Sequence, residues 1–148
     1  MKVTVIYGQS HRGMTWYMAQ TLLGDLKPDS VDEFFLPKDG PSSCIGCCRC
    51  FLEGESHCPH ADSVAPIVES MVSSDVIVLA GPNYVDGMTG AMKDLMDHCA
   101  YMWMSHRPHP EMFSKTGVVI VSSAGATNGH VLSAMKRQMT SWMIPRVY

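Results

Sequence analysis

Runs of apolar, β-branched residues alternate along this chain with stretches whose apolar positions recur at helical spacing. Val3 to Tyr7 reads as a first strand, ended by Gly8 and a polar loop. Thr15 to Leu23 follows as a helix, with Trp16, Ala19, Gln20 and Leu23 on one side. Val31 to Leu36 predicts a second strand. Ala61 to Ser73 is helical, because Val64, Ile67, Val68 and Met71 share a face. Pro66 is expected in its first turn or at a slight bend, since an interior proline removes a hydrogen bond. Val76 to Ala80 is apolar at every position, as a central parallel strand buried on both faces would be. Thr89 to Met104 predicts the next helix, with Met92, Leu95, Met96, Cys99 and Trp103 on one side. Val118 to Val121 is a further all-apolar strand, and Val131 to Met143 a helix built on Leu132, Met135 and Met139.

The alternation of strand and helix calls for an α/β fold, a three-layer doubly wound parallel sheet with right-handed crossovers. With 148 residues the chain is one domain, with a cysteine-rich loop at about 37–60. Such a sheet needs a fifth strand and usually a closing helix, yet only Arg146-Val147-Tyr148 remain to begin one. The expectation is a C-terminally truncated chain, or a sheet short of its last strand and helix.

Composition removes some partners. The formal net charge of −3 leaves no basic surplus for nucleic acid. No apolar run approaches the roughly 20 residues that cross a bilayer. Met1 to Tyr7 runs directly into a strand with no charged leader or cleavage site, which predicts a cytoplasmic protein. In a reducing compartment, six cysteines read as ligands or reactive thiols rather than disulfides.

In an open α/β sheet a ligand binds beyond the carboxyl ends of the strands, near the point where strand order reverses. Three loops there carry candidate chemistry. After the first strand, Gly8-Gln9-Ser10-His11-Arg12-Gly13-Met14-Thr15 is neither G-x-G-x-x-G nor a P-loop. It does offer two hydroxyls, a guanidinium and the free N–H groups that open a helix, a set suited to a phosphate monoester. An ordinary helix cap with polar neighbours explains the same residues. After the third strand, Gly81-Pro82-Asn83-Tyr84-Val85-Asp86-Gly87-Met88-Thr89 would shape a slot for a planar ring, or simply a turn with an exposed tyrosine. After the fourth, Ser122 to Gly129 supplies small residues that admit a ligand to the backbone.

These stretches, with the Cys44-to-Cys58 segment and Met88-Thr89-Gly90-Ala91-Met92-Lys93, resemble the NADPH-dependent FMN reductases and related iron–sulfur flavoproteins of the flavodoxin-like superfamily. The resemblance covers essentially the whole chain. It implies that Ser10, Arg12, Gly13, Met14 and Thr15 hold the FMN phosphate. Pro82, Asn83, Tyr84 and Val85 would line the isoalloxazine, and Ser123, Ala124 and Gly125 would close the site. Met14 stands where the family often carries a small polar residue, so its contribution is its backbone N–H.

Cys44, Cys47, Cys50 and Cys58 fall in the pattern C-x2-C-x2-C-x7-C, which can supply the four thiolates of a [4Fe–4S] centre. Zinc uses the same ligands, and His57 and His60 flank Cys58, but its usual separated C-x2-C pairs are absent. Free or redox-active thiols in a capping loop are the third reading, and Cys48 blurs the register. Cys99, on an apolar helical face, reads as core. The methionines between Met88 and Met104 read first as core packing, with a hydrophobic site or a contact within a homo-oligomer as the alternative.

The resemblance implies an FMN-dependent NAD(P)H oxidoreductase that takes hydride from NADH or NADPH and passes electrons to a small-molecule or protein acceptor. No catalytic acid or base is assigned, because the redox chemistry belongs to the cofactor. The alternative is a flavodoxin-type or iron–sulfur flavoprotein electron carrier working with a protein partner. A phosphatase on a similar sheet would need Arg six residues after its Cys. Cys44 is followed there by Cys50 and Cys47 by Glu53, which excludes it.

Overall fold

Strand β1 (Lys2–Tyr7) is buried from Val3 onward and is flanked on both sides, as its apolar run requires. It pairs in parallel with β2 (Ser30–Phe35) and with β3 (Val76–Pro82). Strand β3 pairs with β4 (Thr116–Ser122), and β4 with the two-residue β5 (Arg146–Val147), giving the order β2-β1-β3-β4-β5. The computed structural model describes every residue from Met1 to Tyr148. The expectation of a missing fifth strand is corrected: Arg146 and Val147 align with Thr116 and Gly117, and the Tyr148 N–H donates to the Gly117 carbonyl at 3.0 Å.

Five helices connect the strands: α1 (Met14–Leu26), α2 (Arg49–Leu52), α3 (Ala61–Ser73), α4 (Gly90–His98) and α5 (Gly129–Ser141). Side chains alternate along the strands and build two cores of unequal size. Ile6, Ile77, Leu79, Val119 and Val121 face α3, α4 and α5 in a cluster of 22 buried residues. Val3, Val5, Tyr7, Val78 and Ile120 face α1 in a cluster of 8. Met71, Met92, Met96, Met135 and Met139 lie in the larger core, so core packing is their role.

Two helices differ from the expectation. Pro66 sits in the second turn of α3, not the first. Helix α4 ends at His98 instead of Met104, and a 3₁₀ turn (Ala100–Met102) follows. Tightening the winding toward 3.0 residues per turn changes which residues stay on the apolar side. Tyr101 and Met102 remain buried, while Trp103, expected on the core face, is 48% exposed.

Candidate functional site

The three loops named from the sequence leave the carboxyl ends of β1, β3 and β4, which are neighbours in the sheet. The strand order reverses between β1 and β3, the place where open α/β sheets bind ligands in a crevice. The loops approach closely there. Gly8 continues β1, its N–H donating to the Ala80 carbonyl at 2.8 Å, and a Cβ on it would lie 2.7 Å from Thr89 Oγ1. Thr89 itself caps α4 by accepting from the Met92 N–H. A side chain at position 8 would therefore push the first loop away from the second.

Helix α1 begins without a side-chain cap, since its N-cap is Gly13 and no acidic residue stands in its first turn. Its opening N–H groups at Met14, Thr15 and Trp16 have no intrahelical carbonyl to reach. Thirteen residues of aligned peptides place partial positive charge there as well. Around this end stand Ser10, whose hydroxyl donates to the Leu36 carbonyl at 3.2 Å, and Arg12, whose guanidinium lies 5.2 Å above the Trp16 ring. Thr15 is buried, and its hydroxyl is 2.6 Å from that of Ser122 at the end of β4. In such a pair one hydroxyl donates to the other, and the accepting one keeps its own hydrogen for a third group. The Met14 side chain is exposed, leaving its backbone as the part that faces the helix end.

The β3 and β4 loops are tied together. The Asn83 N–H donates to the Ser122 carbonyl at 2.8 Å, and its side-chain NH₂ to the Thr127 carbonyl at 2.9 Å. Tyr84 and Gly87 pair across a two-residue turn whose central residues, Val85 and Asp86, both have positive φ, 51° and 57°. Asn-Gly is the usual choice for such a turn, and a β-branched Val with φ above zero is strained. Val85 is also fully exposed and Tyr84 half-exposed, so packing within the chain does not explain their placement. Ser123 donates to the Ala126 carbonyl at 2.6 Å, and Gly125 takes φ 96°, which Ala124 and its other neighbours do not need. Two buried amide oxygens, Asn83 Oδ1 and Asn128 Oδ1, have no partner at this edge. Buried acceptors are nearly always paired, so two orphans beside a crevice are acceptors awaiting donors.

Gln9, Ser122 and Asn128 lie in the loops read from the sequence, which gives them no individual cofactor role. Gln9 is buried, with its NH₂ directed to the His11 carbonyl at 3.3 Å. Their signal was weak: a short polar residue at the end of an apolar strand looks like any turn.

The cysteine segment runs across α2 and a 3₁₀ turn (Glu55–His57), two short pieces that carry no periodic pattern. Cys44, Cys47 and Cys48 are exposed, Cys50 and Cys58 half-buried, and Cys99 fully buried, where burial pushes its thiol up to about 12. Burial raises the pKa of Cys50, and Cys58, Cys44 and Cys47 add to the rise as neighbouring charges. Cys48 has φ 58° and its thiol contacts the Gly46 carbonyl. The four cysteines that the spacing selects share this segment, and no three Cys, His, Asp or Glu side chains converge tightly enough to hold a metal ion. No helix of the protein is long and apolar enough to cross a membrane.

A parallel β2-β1-β3-β4-β5 sheet with helices on both faces defines a flavodoxin-like α/β protein. The chain belongs to the NADPH-dependent FMN reductase family, whose model matches residues 1–147. Among curated proteins it is 33% identical over 100 residues to an iron–sulfur flavoprotein of Methanocaldococcus jannaschii, covering 66% of this chain and 51% of that one. It is 31% identical over 148 residues to an iron–sulfur flavoprotein of Archaeoglobus fulgidus, covering 97% of this chain and 64% of that one. The chain therefore spans between half and two-thirds of the length of these relatives. Among solved structures, an FMN-dependent NADH-azoreductase from Bacillus anthracis in complex with FMN superposes with a TM-score of 0.74 at 13% identity, over 99% of this chain and 84% of that one. An NAD(P)H:quinone oxidoreductase from Methanothermobacter marburgensis gives 0.73 at 13% identity, over 100% and 82%. At that identity the likeness shows the fold.

Proposed function

We propose that this chain binds FMN at the β1/β3 edge and works as an NAD(P)H-dependent oxidoreductase that hands electrons to an acceptor. The observation that carries the reading is the uncapped start of α1, opening onto the same crevice as two unpartnered amide oxygens. The first suits a phosphate monoester, and the second suits the polar rim of a flat heterocycle with N–H donors. The residues present fit FMN.

Ser10 and Arg12 would face the phosphate together with the N–H groups after Gly13, at Met14 and Thr15. The Thr15–Ser122 pair would hold the helix end against β4. Pro82, Asn83, Tyr84 and Val85 would line the ring on one side, and Ser123, Ala124 and Gly125 on the other. Val85 and Tyr84 would exclude water from a ring laid against them, and reciprocal backbone hydrogen bonds between Tyr84 and Gly87 hold their strained turn closed. When bound, FMN supplies the hydride and electron chemistry. The FMN-loaded chain should lose its yellow absorbance on anaerobic addition of NADH or NADPH and regain it with a quinone or with oxygen. A loaded chain that stays oxidised under excess of both nicotinamides sinks the oxidoreductase reading.

The second reading, an electron carrier with a cysteine-held [4Fe–4S] centre, is favoured by the C-x2-C-x2-C-x7-C spacing of Cys44, Cys47, Cys50 and Cys58 and by the relatives named iron–sulfur flavoproteins. Those four residues would be its ligands after the loop draws together. Iron and acid-labile sulfide in anaerobically purified protein support it, and the absence of both removes it.

A further inference from the structure

His98 is a buried side chain that the flavin reading does not use. It lies at the last turn of α4, 4% exposed, with both ring nitrogens engaged. Nε2 is 2.9 Å from the Ser42 carbonyl oxygen, which can only accept, so Nε2 carries the hydrogen. In the neutral ring that leaves Nδ1 bare, and the Cys58 thiol, 3.5 Å away, donates to it. The Cys58 sulfur accepts in turn from the His60 N–H at 3.5 Å, and the His60 ring packs edge-on against His98 at 5.0 Å. Ser42 precedes the first cysteine of the motif and Cys58 is its last. One imidazole therefore grips both ends of the cysteine segment.

The middle of the segment is gripped separately. The Arg107 guanidinium donates to the carbonyls of Cys50 and Phe51 and pairs with Glu55 at 3.0 Å. Those carbonyls end the short helix α2, where a cation is favoured. Both anchors come from outside the segment.

We propose that His98 is a positioning residue that latches the cysteine segment shut on α4 and sets Cys58 apart from the exposed thiols. Helix α4 begins at the ring loop and ends at His98, so the latch fixes the cysteines along one rigid rod, about 12 Å of helix axis from that loop. Arg107 holds the centre, and His98 determines whether the two ends stay together. The inference concerns the metal-free segment and stands apart from both readings above. Iron analysis judges the cluster and flavin reduction the oxidoreductase, whereas cysteine labelling judges the latch.

The test is iodoacetamide labelling of the full FMN-loaded, metal-free chain, each cysteine followed by peptide mass spectrometry. In the wild type Cys58 labels about tenfold slower than Cys47, because the closed segment keeps the reagent from its half-buried sulfur and this outweighs the thiolate character an imidazole partner confers. His98→Gln keeps an N–H near Ser42 but offers Cys58 no acceptor at the Nδ1 position, and speeds Cys58 labelling by about fivefold to tenfold. His98→Asn places an amide oxygen near the Nδ1 position and restores slow labelling of Cys58. A merely space-filling histidine would not separate Gln from Asn in this order. Cys99, adjacent and fully buried, stays unlabelled while the fold holds. If it opens in the Gln variant, the wild type and the Asn variant decide between them. Cys58 labelling as fast as Cys47 in the wild type, or equal rates in the Gln and Asn variants, overturns the proposal.

Discussion

Two regions of this molecule carry candidate chemistry, and they are held in place by different means. The edge above β1, β3 and β4 is part of the fold. Its loops issue from adjacent parallel strands, its positive end is the start of α1, and its joints are backbone hydrogen bonds such as Asn83 N–H to Ser122. The cysteine segment has only two short helical pieces and little burial of its own, and it is fastened by the side chains of His98 and Arg107. The difference teaches where rigidity comes from. A site on sheet edges inherits the stability of the core, whereas a segment fastened by side chains opens at a local cost below that of unfolding the domain.

The largest expected effect breaks the first region and spares the second. Gly8→Val puts atoms against Thr89 Oγ1 and Met92, and should cost about 1–3 kcal/mol of stability as an overpacked contact. In thermal melts and flavin titration the variant loses both stability and FMN affinity, while Cys47 and Cys58 keep their labelling order. An unchanged FMN affinity would mean that the close approach of the two loops does not matter to the site.

Next in size is the reverse experiment. Arg107→Ala frees the Cys50 and Phe51 carbonyls and Glu55, and amide exchange across 44–58 should quicken by about tenfold, the scale of one or two hydrogen bonds. FMN affinity and the melting temperature should hardly move, because half-exposed charge contacts contribute little to global stability. Loss of flavin in this variant would join the two regions into one unit.

Within the segment, pH sharpens the contrast. Folding raises the Cys50 pKa through burial first and then through Cys58, Cys44 and Cys47. A raised thiol pKa means that the fold favours the neutral form. Its contribution is full below the ordinary thiol pKa and is lost as pH climbs through the raised one. Protection across 44–58, taken as exchange relative to the intrinsic rate at each pH, should therefore fall toward alkaline pH, and Cys50→Ser should flatten that dependence while leaving the β1/β3 edge unaffected. The smallest effect belongs to Val85. Val85→Asn suits the positive φ and should stabilise the chain by about 0.5–1 kcal/mol. It should also weaken FMN binding by about fourfold, the scale of one buried methylene lost from the ring contact. Calorimetry and fluorescence titration read the two opposing changes.

How much of this was legible in the sequence follows the same division. The strands that anchor the β1/β3 edge are short apolar runs, and Val76 to Ala80 is apolar at every position, as burial on both faces requires. The loops after them were legible because strand ends at a switch point are where ligands bind. The end of α4 was not, since Met102 and Trp103 continue a helical stripe that a 3₁₀ turn cuts short. The anchors of the cysteine segment were also hidden. His98 is 56 residues from Ser42 and 40 from Cys58, and Arg107 is 57 from Cys50. No local pattern reports contacts that only the tertiary fold creates. The fifth strand was nearly invisible for a further reason: two residues carry no periodicity, and only pairing with β4 defines them.

The central claim is that the uncapped start of α1 and the loops around it hold a flavin by its phosphate. The most direct measurement is a fluorescence-quenching titration of the purified chain with FMN and, in parallel, with riboflavin, which has the same ring and no phosphate. The account predicts saturable binding of FMN at one per chain and binding of riboflavin weaker by about a hundredfold, as expected when a dianion loses its charge-assisted hydrogen bonds. Equal affinities for the two flavins, or no binding of either, would contradict it.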